Sequence, residues 1–315
     1  MRYKFEDWHP IPRPPEISQH GFFVGTSGYY FDDWIGLFNP PKPPRGTALS
    51  EKQKEDQDRL KFYHTYFPFL EINTTFYQEP TKKWFADIDS RSRQGTRLAV
   101  KAHRDISHTR TWNSKNGRCL MQRHVDAVHP ILKSGRFYSF LIQLEDRVVF
   151  RPERLGYLIE VSNAAISNGC DVHIEFRHRS WHRMESLQSL KDSTIGICNT
   201  EIPVSHAFPL KPYATSNKGY VRYSGRNYAN WNQTRPQRTH KDRIAARNAR
   251  YDYLYSLQEI GQRTESQGVL RQKTSVVAVA YNNHYNAQAV HNAIQNIKRI
   301  SEPGFMDSVN LLSHD

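Results

Sequence analysis

Residues 172–177 read Val172-His173-Ile174-Glu175-Phe176-Arg177. The run is short and β-rich, and it turns polar only at its end. Residues two apart on a strand share a face, so Glu175 and Arg177 lie together. Seven further runs have the same short, near-continuously apolar character. They are Phe22-Phe23-Val24-Gly25 and residues 69–72, 97–101, 137–144, 194–198, 219–223 and 275–281. Strands of this kind are buried on both faces. Helical patterns lie between them. Ser50-Glu51-Lys52-Gln53 reads as a capping box that opens one charged helix ending near Phe67-Pro68. Pro152 suits a first helical turn, and Leu155, Leu158, Ile159, Ser162 and Ile166 follow at helical spacing. Val290, Ala293, Ile294, Ile297 and Ile300 repeat that spacing after the last strand. Eight alternating units predict parallel pairing by right-handed crossovers, and an α/β fold closed as a (β/α)8 TIM-like barrel. The competing architecture is an open doubly wound sheet. Gly25-Thr26-Ser27-Gly28 matches neither the dinucleotide nor the phosphate-loop glycine pattern.

Composition agrees with one large core. The chain has 315 residues, 37% hydrophobic and 24% charged, which excludes a disordered chain. No apolar run reaches the ~18 residues of a membrane span, and residues 1–20 lack the apolar segment of a secretory signal. Cys119, Cys170 and Cys198 form no C-x-x-C pair, so a reducing cytoplasmic setting is expected. The expected organisation is an arm over residues 1–20, one barrel over 21–300 and a tail over 301–315. Long loops are expected after strands one and seven. Residues 39–45 carry four prolines, and residues 222–250 hold seven arginines and one lysine against a single aspartate. The net charge of +13 adds nucleic acid and phosphorylated ligands to the candidate partners.

The ends of the strands carry the chemistry. Glu71 and Asn73, Lys101 and His103, Gln143 and Glu145, Glu175 and Arg177, and Arg222 and Ser224 are each two apart. Asn199 ends the sixth run, and Asn282-Asn283-His284 follow the eighth. In a barrel such residues can face the lumen below the catalytic rim. Buried charges must pair with one another or bind something. A closed salt-bridge network, Glu71 with Lys101 and Glu175 with Arg177, is the structural alternative. As a functional set, Glu71 and Glu175 supply general acid/base groups. Lys101, Arg177 and Arg222 suit a phosphate or carboxylate. Asn73, His103, Gln143, Asn199 and Asn283 complete the expected substrate contacts. Trp34, Tyr29, Tyr30, Tyr77, Trp181 and Trp231 follow strand ends and can stack on a base or sugar. No cofactor is expected. A divalent metal is disfavoured, because no dense Asp/His cluster appears and the lumen is rich in Lys and Arg.

These motifs together resemble the YecE-like family, domain of unknown function 72. Val24 to Tyr29, Trp34 with Phe38-Asn39-Pro40, and Glu71 to Tyr77 carry the opening of the resemblance. Val100 to His108, Glu175 to Trp181, Val221 to Arg226, and Tyr281 to His284 with Ala289 and Asn292-Ala293 continue it. It covers about residues 21–298 and implies a (β/α)8 barrel without implying a reaction. Glu145-Asp146 stand where the family usually has prolines. Asn199 stands where it usually has Asp, and Ser224 where it usually has His. The resulting expectation is a barrel enzyme, a hydrolase for preference, acting on an anionic small molecule or nucleic acid. A non-catalytic nucleic-acid binder and a glycoside hydrolase are the rivals; neither membrane attachment nor a particular oligomer is expected.

Overall fold

The computed structural model describes residues 9–203, 212–231 and 239–312. Parts of the expected arm (1–8), basic insertion (232–238) and tail (313–315) lie outside the described residues. Eight strands appear: β1 Phe22–Ser27, β2 Phe69–Ile72, β3 Arg97–Lys101, β4 Phe137–Gln143, β5 Val172–Glu175, β6 Gly196–Glu201, β7 Lys218–Tyr223 and β8 Val276–Tyr281. All pair in parallel in chain order, and β1 closes on β8 through partners such as Val24 and Val279. That closure excludes the open doubly wound sheet. Around the barrel run α1 Glu51–Gln57, α2 Arg59–His64, α3 Lys82–Arg91, α4 Arg104–Ser107, α5 Ser114–Lys133 and α6 Pro152–Ile166. They continue as α7 Met184–Asp192, α8 Tyr228–Trp231, α9 His240–Arg250, α10 Leu257–Gln272, α11 Gln288–Ile300 and α12 Phe305–Leu312. No helix among the described residues is long and apolar enough to cross a membrane.

Local signals explain most boundaries. The Ser50–Gln53 capping box is formed at the start of α1. The single helix expected there is broken by Asp58, whose extended backbone ends α1 and whose carboxylate accepts from the amides of Leu60 and Lys61 to start α2. Asp58 also pairs with Arg91 on α3. Capping one helix while holding a neighbour costs Asp58 its place inside a helix. Along α11, Val290, Ala293, Ile294, Ile297 and Ile300 are all buried, the apolar stripe of a helix lying on a sheet. In the tail, α12 docks Phe305 edge-on against Phe22 of β1.

The lumen has two storeys. Below, Phe23, Phe69, Ala99, Tyr138, Leu141, Cys198, Tyr220, Ala278 and Ala280 form a closed apolar cluster. Tyr220 meets Phe69, Tyr138 and His173 edge-on, at 5.8, 5.8 and 5.5 Å between ring centres. Edge-to-face contacts of this kind add about 0.5–1.5 kcal/mol each beyond burial. Above this floor the side chains become charged.

Gly25 sets the closeness of β1 and β2. A Cβ there would stand 1.9 Å from the carbonyl oxygen of Phe69 and 2.7 Å from the hydroxyl of Tyr63. That hydroxyl donates to the same carbonyl and accepts from the amide of Thr26. The carbonyl is backbone held in the sheet and the hydroxyl is fixed by its two hydrogen bonds, so neither can yield cheaply. Gly25→Ala should lower stability by about 1–3 kcal/mol, as overpacking of a core does; an unchanged urea midpoint would contradict this packing.

Candidate functional site

The upper storey is built by the C-terminal ends of β2, β3, β4, β5 and β7. Arg222 is its centre and is 1% exposed. Its Nε donates to Glu71 Oε2 at 2.6 Å and its Nη2 to Glu71 Oε1 at 2.8 Å, a bidentate fork. Its Nη1 donates to Glu175 Oε2. Tyr220, rising from the floor, donates its hydroxyl to Glu71 Oε2 at 2.6 Å. Arg177 Nε donates to Glu175 Oε1 at 2.7 Å. The amide of Gln143 donates to both oxygens of Glu175, at 3.1 and 3.2 Å, which leaves its own oxygen facing Lys101. Lys101 Nζ donates to that oxygen at 2.8 Å and sits 4.1 Å over the ring of Phe76. No carboxylate oxygen of the described residues lies within ion-pair distance of Lys101, whose side chain is part-exposed.

The electrostatics follow from this wiring. Burial by itself would raise Glu71 and Glu175. For Glu71 burial is the largest single influence, but the charge and hydrogen bonds of Arg222, together with the hydroxyls of Tyr220 and Ser27, outweigh it and hold Glu71 below the ordinary carboxylate value. For Glu175, Arg222 and Arg177 together outweigh burial and bring it down to about 2. Burial would likewise lower Arg222, but the two carboxylates push it well up. Lys101 has no such support. Burial lowers it first, Arg222 and Arg177 lower it further, and the distant carboxylates only partly oppose them, leaving it at about 7. Three cations thus face two carboxylates, and the surplus positive charge belongs to Lys101.

The expected residues divide sharply. Glu71, Lys101, Gln143, Glu175, Arg177 and Arg222 converge. Of the expected pairs, Glu175–Arg177 forms, whereas Glu71 pairs with Arg222 rather than Lys101. Asn73 stands just past β2, its Oδ1 buried without a hydrogen-bond partner. Three residues are placed elsewhere. His103 turns towards α5: it accepts from the amide of Asp105 and lies 6.4 Å from the ring of His124. Asn199 lies inside β6, which runs on to Glu201. Its neighbour Cys198 packs in the lumen, so Asn199 faces outward, where it clamps the backbone of Tyr213. Asn283 donates to the carbonyl of Tyr253 and to Asn292 on α11. Both asparagines anchor connections around the barrel.

Tyr220 is an addition to the expected set, and its signal is the alternation of Lys218, Tyr220 and Arg222 on one face of β7. Nothing local marks the wall above the mouth. There Phe31 stacks on His284 at 4.2 Å, and His284 meets Tyr251 at 4.9 Å. Tyr251 meets Trp231 at 5.7 Å, and Arg177 lies 6.0 Å from the ring of Trp231. Through Trp231 and Tyr251, described residues of the connection after β7, that connection reaches the first loop.

Fold and site define a single-chain (β/α)8 barrel with an arginine-centred charge cluster beneath its C-terminal mouth. The family described as "Protein of unknown function DUF72" matches residues 23–307, and the chain belongs to that family. It is 24% identical over 288 residues to UPF0759 protein YunF of Bacillus subtilis, covering 87% of this chain and 92% of that protein. A crystal structure of a DUF72 family protein from Thermotoga maritima superposes with a TM-score of 0.72 at 26% identity, over 90% of this chain and all of the other. One from Enterococcus faecalis gives 0.71 at 21% identity, over 89% and 96%, and shares the fold.

Removing Arg222 tests the cluster. In the native protein the carboxylates are held low. Their contribution is complete above the unfolded value of about 4.3 and is lost as pH falls towards about 2, the value of Glu175. In Arg222→Met, Glu71 would be buried with no cation beside it and Glu175 would keep only Arg177, so the values of both would rise. Stability should fall by about 3–5 kcal/mol at pH 7. Both proteins lose stability between pH 7 and pH 5 because burial holds His64, His173, His182 and His284 low, but the variant should lose less, its raised carboxylates gaining protons over that interval. Urea unfolding at both pH values reads the difference, and a variant that behaves like the native protein would sink this account.

Proposed function

We propose that the chain is an enzyme acting on a small anionic substrate, bearing a carboxylate or phosphate, at the C-terminal mouth of its barrel. Lys101 is the observation that carries the reading. Among the described residues it is the one cation of the upper storey with no carboxylate within ion-pair distance, and it is part-exposed below the mouth. An incoming anion supplies the missing negative charge without breaking any existing pair. Arg177, at the rim, is the second contact.

This wiring moves the acid/base role. Glu71 and Glu175 are held ionised by Arg222 and are spent on that pairing. Lys101, at about 7, is the group poised to exchange a proton near neutral pH. A glycosidase mechanism fits poorly, because it needs one carboxyl kept protonated as the acid. A polyanion is the second reading. Arg243 and Arg247 are exposed one turn apart on α9, within the basic insertion. It requires retention on nucleic acid that falls steeply with salt and survives loss of Lys101.

Sulfate tests the first reading, since its charge is constant across neutral pH. An anion stabilises the protonated lysine, so binding is strongest below pH 7. Affinity should weaken by up to about tenfold per unit as pH rises above it. Lys101→Gln should lower affinity and abolish this pH dependence. Calorimetric titration that finds the same slope in the variant would refute the assignment.

A further inference from the structure

We propose that Lys101 Nζ is a nucleophile towards a carbonyl compound that carries a carboxylate or phosphate, and forms an imine with it in the barrel mouth. The inference rests on the anion reading above and names the substrate class of that site.

An amine attacks a carbonyl only as the free base, and a carboxylate beside it would keep it protonated. The groups facing Lys101 are arranged against such trapping. From β2 comes Glu71, which is taken by the fork of Arg222 and by Tyr220. From β5 comes Glu175, taken by Arg222, Arg177 and Gln143. From β4 comes Gln143, a neutral acceptor. From β7 comes Arg222, a fixed positive charge that favours the neutral amine. Phe76 lies under the ammonium, and the ring of His108, lowered chiefly by burial, lies 4.9 Å beyond Phe76. Arg222 is therefore also the device that withholds both carboxylates from the lysine. Glu175 in turn fixes the amide of Gln143, so that its oxygen holds Nζ in one place. Gln143 is a positioning residue.

The chemistry balances within the site. The Nζ lone pair forms a bond to the carbonyl carbon, and the proton leaving nitrogen goes to the former carbonyl oxygen, giving a carbinolamine. Loss of that oxygen as water gives the imine. In sum, amine and carbonyl yield imine and water, with no oxidant or reductant. The carboxylate or phosphate of the compound meets Arg177 at the rim, leaving its carbonyl to reach inward.

The experiment uses the full chain with pyruvate in one arm and dihydroxyacetone phosphate in the other, each with sodium cyanoborohydride. Reduction of the imine adds a hydride and a proton. The protein should gain the mass of the compound less one oxygen atom, once per chain, and peptide mapping should place it on Lys101. Sulfate should compete, and Lys101→Gln should take no label at this position. Labelling should proceed at pH 7 nearly as fast as at pH 9, whereas an ordinary surface lysine slows by roughly tenfold per unit. Gln143→Met should shift this pH profile while leaving the label on Lys101. The arm that labels distinguishes a carboxylate-bearing from a phosphate-bearing compound. If sulfate binds with the predicted pH dependence and neither ketone labels Lys101, the imine proposal fails and the anion reading stands. If sulfate does not bind either, both fail. Label spread evenly over surface lysines also overturns the proposal, and the mapping on native protein decides this whether or not a variant folds.

Discussion

The guanidinium of Arg222, fully buried between Glu71 and Glu175, is the interaction on which the upper half of the barrel depends. Three charges removed from water are tolerable only when their geometry is tight and their remaining protons and lone pairs are met. Each requirement is satisfied by a different strand. β7 brings Arg222 and Tyr220, β2 brings Glu71, β5 brings Glu175 with Arg177 after it, and β4 brings Gln143. The aromatic floor below supports this arrangement by fixing Tyr220 against Phe69, Tyr138 and His173. The charge cluster therefore rests on the packing as much as the packing is capped by the cluster.

The same constraint makes Lys101 distinctive. Coulomb attraction falls with distance and strengthens with burial. With both carboxylates beside a guanidinium, the positive charges of Arg222 and Arg177 offset their attraction for an ammonium further off. Lys101 is held instead by a neutral amide and an aromatic face. In the reading proposed above, a lysine in that state receives an anion and serves as a weakly basic amine. A run of ring contacts leads from Phe31 through His284 and Tyr251 to Trp231, which lies near Arg177. That run couples the loop after β1 to the insertion after β7, the two long connections of the fold.

Much of this was readable along the chain. Eight runs marked eight strands, because burial on both faces demands continuous apolar sequence. The alternation at their ends marked Glu71, Lys101, Gln143, Glu175, Arg177 and Arg222, because a period of two puts such residues on one face. The same rule misled where a strand end was misjudged. β6 runs to Glu201, so Asn199 is an interior residue of outward parity, and a polar residue there serves a loop rather than the lumen. His103 and Asn283 lie beyond their strands, where the period no longer holds and local turns decide direction.

The sequence by itself determined that there are eight strands, which of their ends turn polar, and where several of the helices start. Those properties depend on neighbours within a few positions: the pleat, the apolar stripe and the capping side chain. Only the tertiary structure decided which charge meets which. Glu71 and Arg222 are 151 residues apart, and Glu175 and Arg222 are 47 apart. Lys101 and Gln143 come together from neighbouring strands, and no spacing rule separates Arg222 from Lys101 as the partner of Glu71. Closure of β1 on β8 sets the strand ends around one small mouth, and there distance and burial, rather than residue type, assign the pairs.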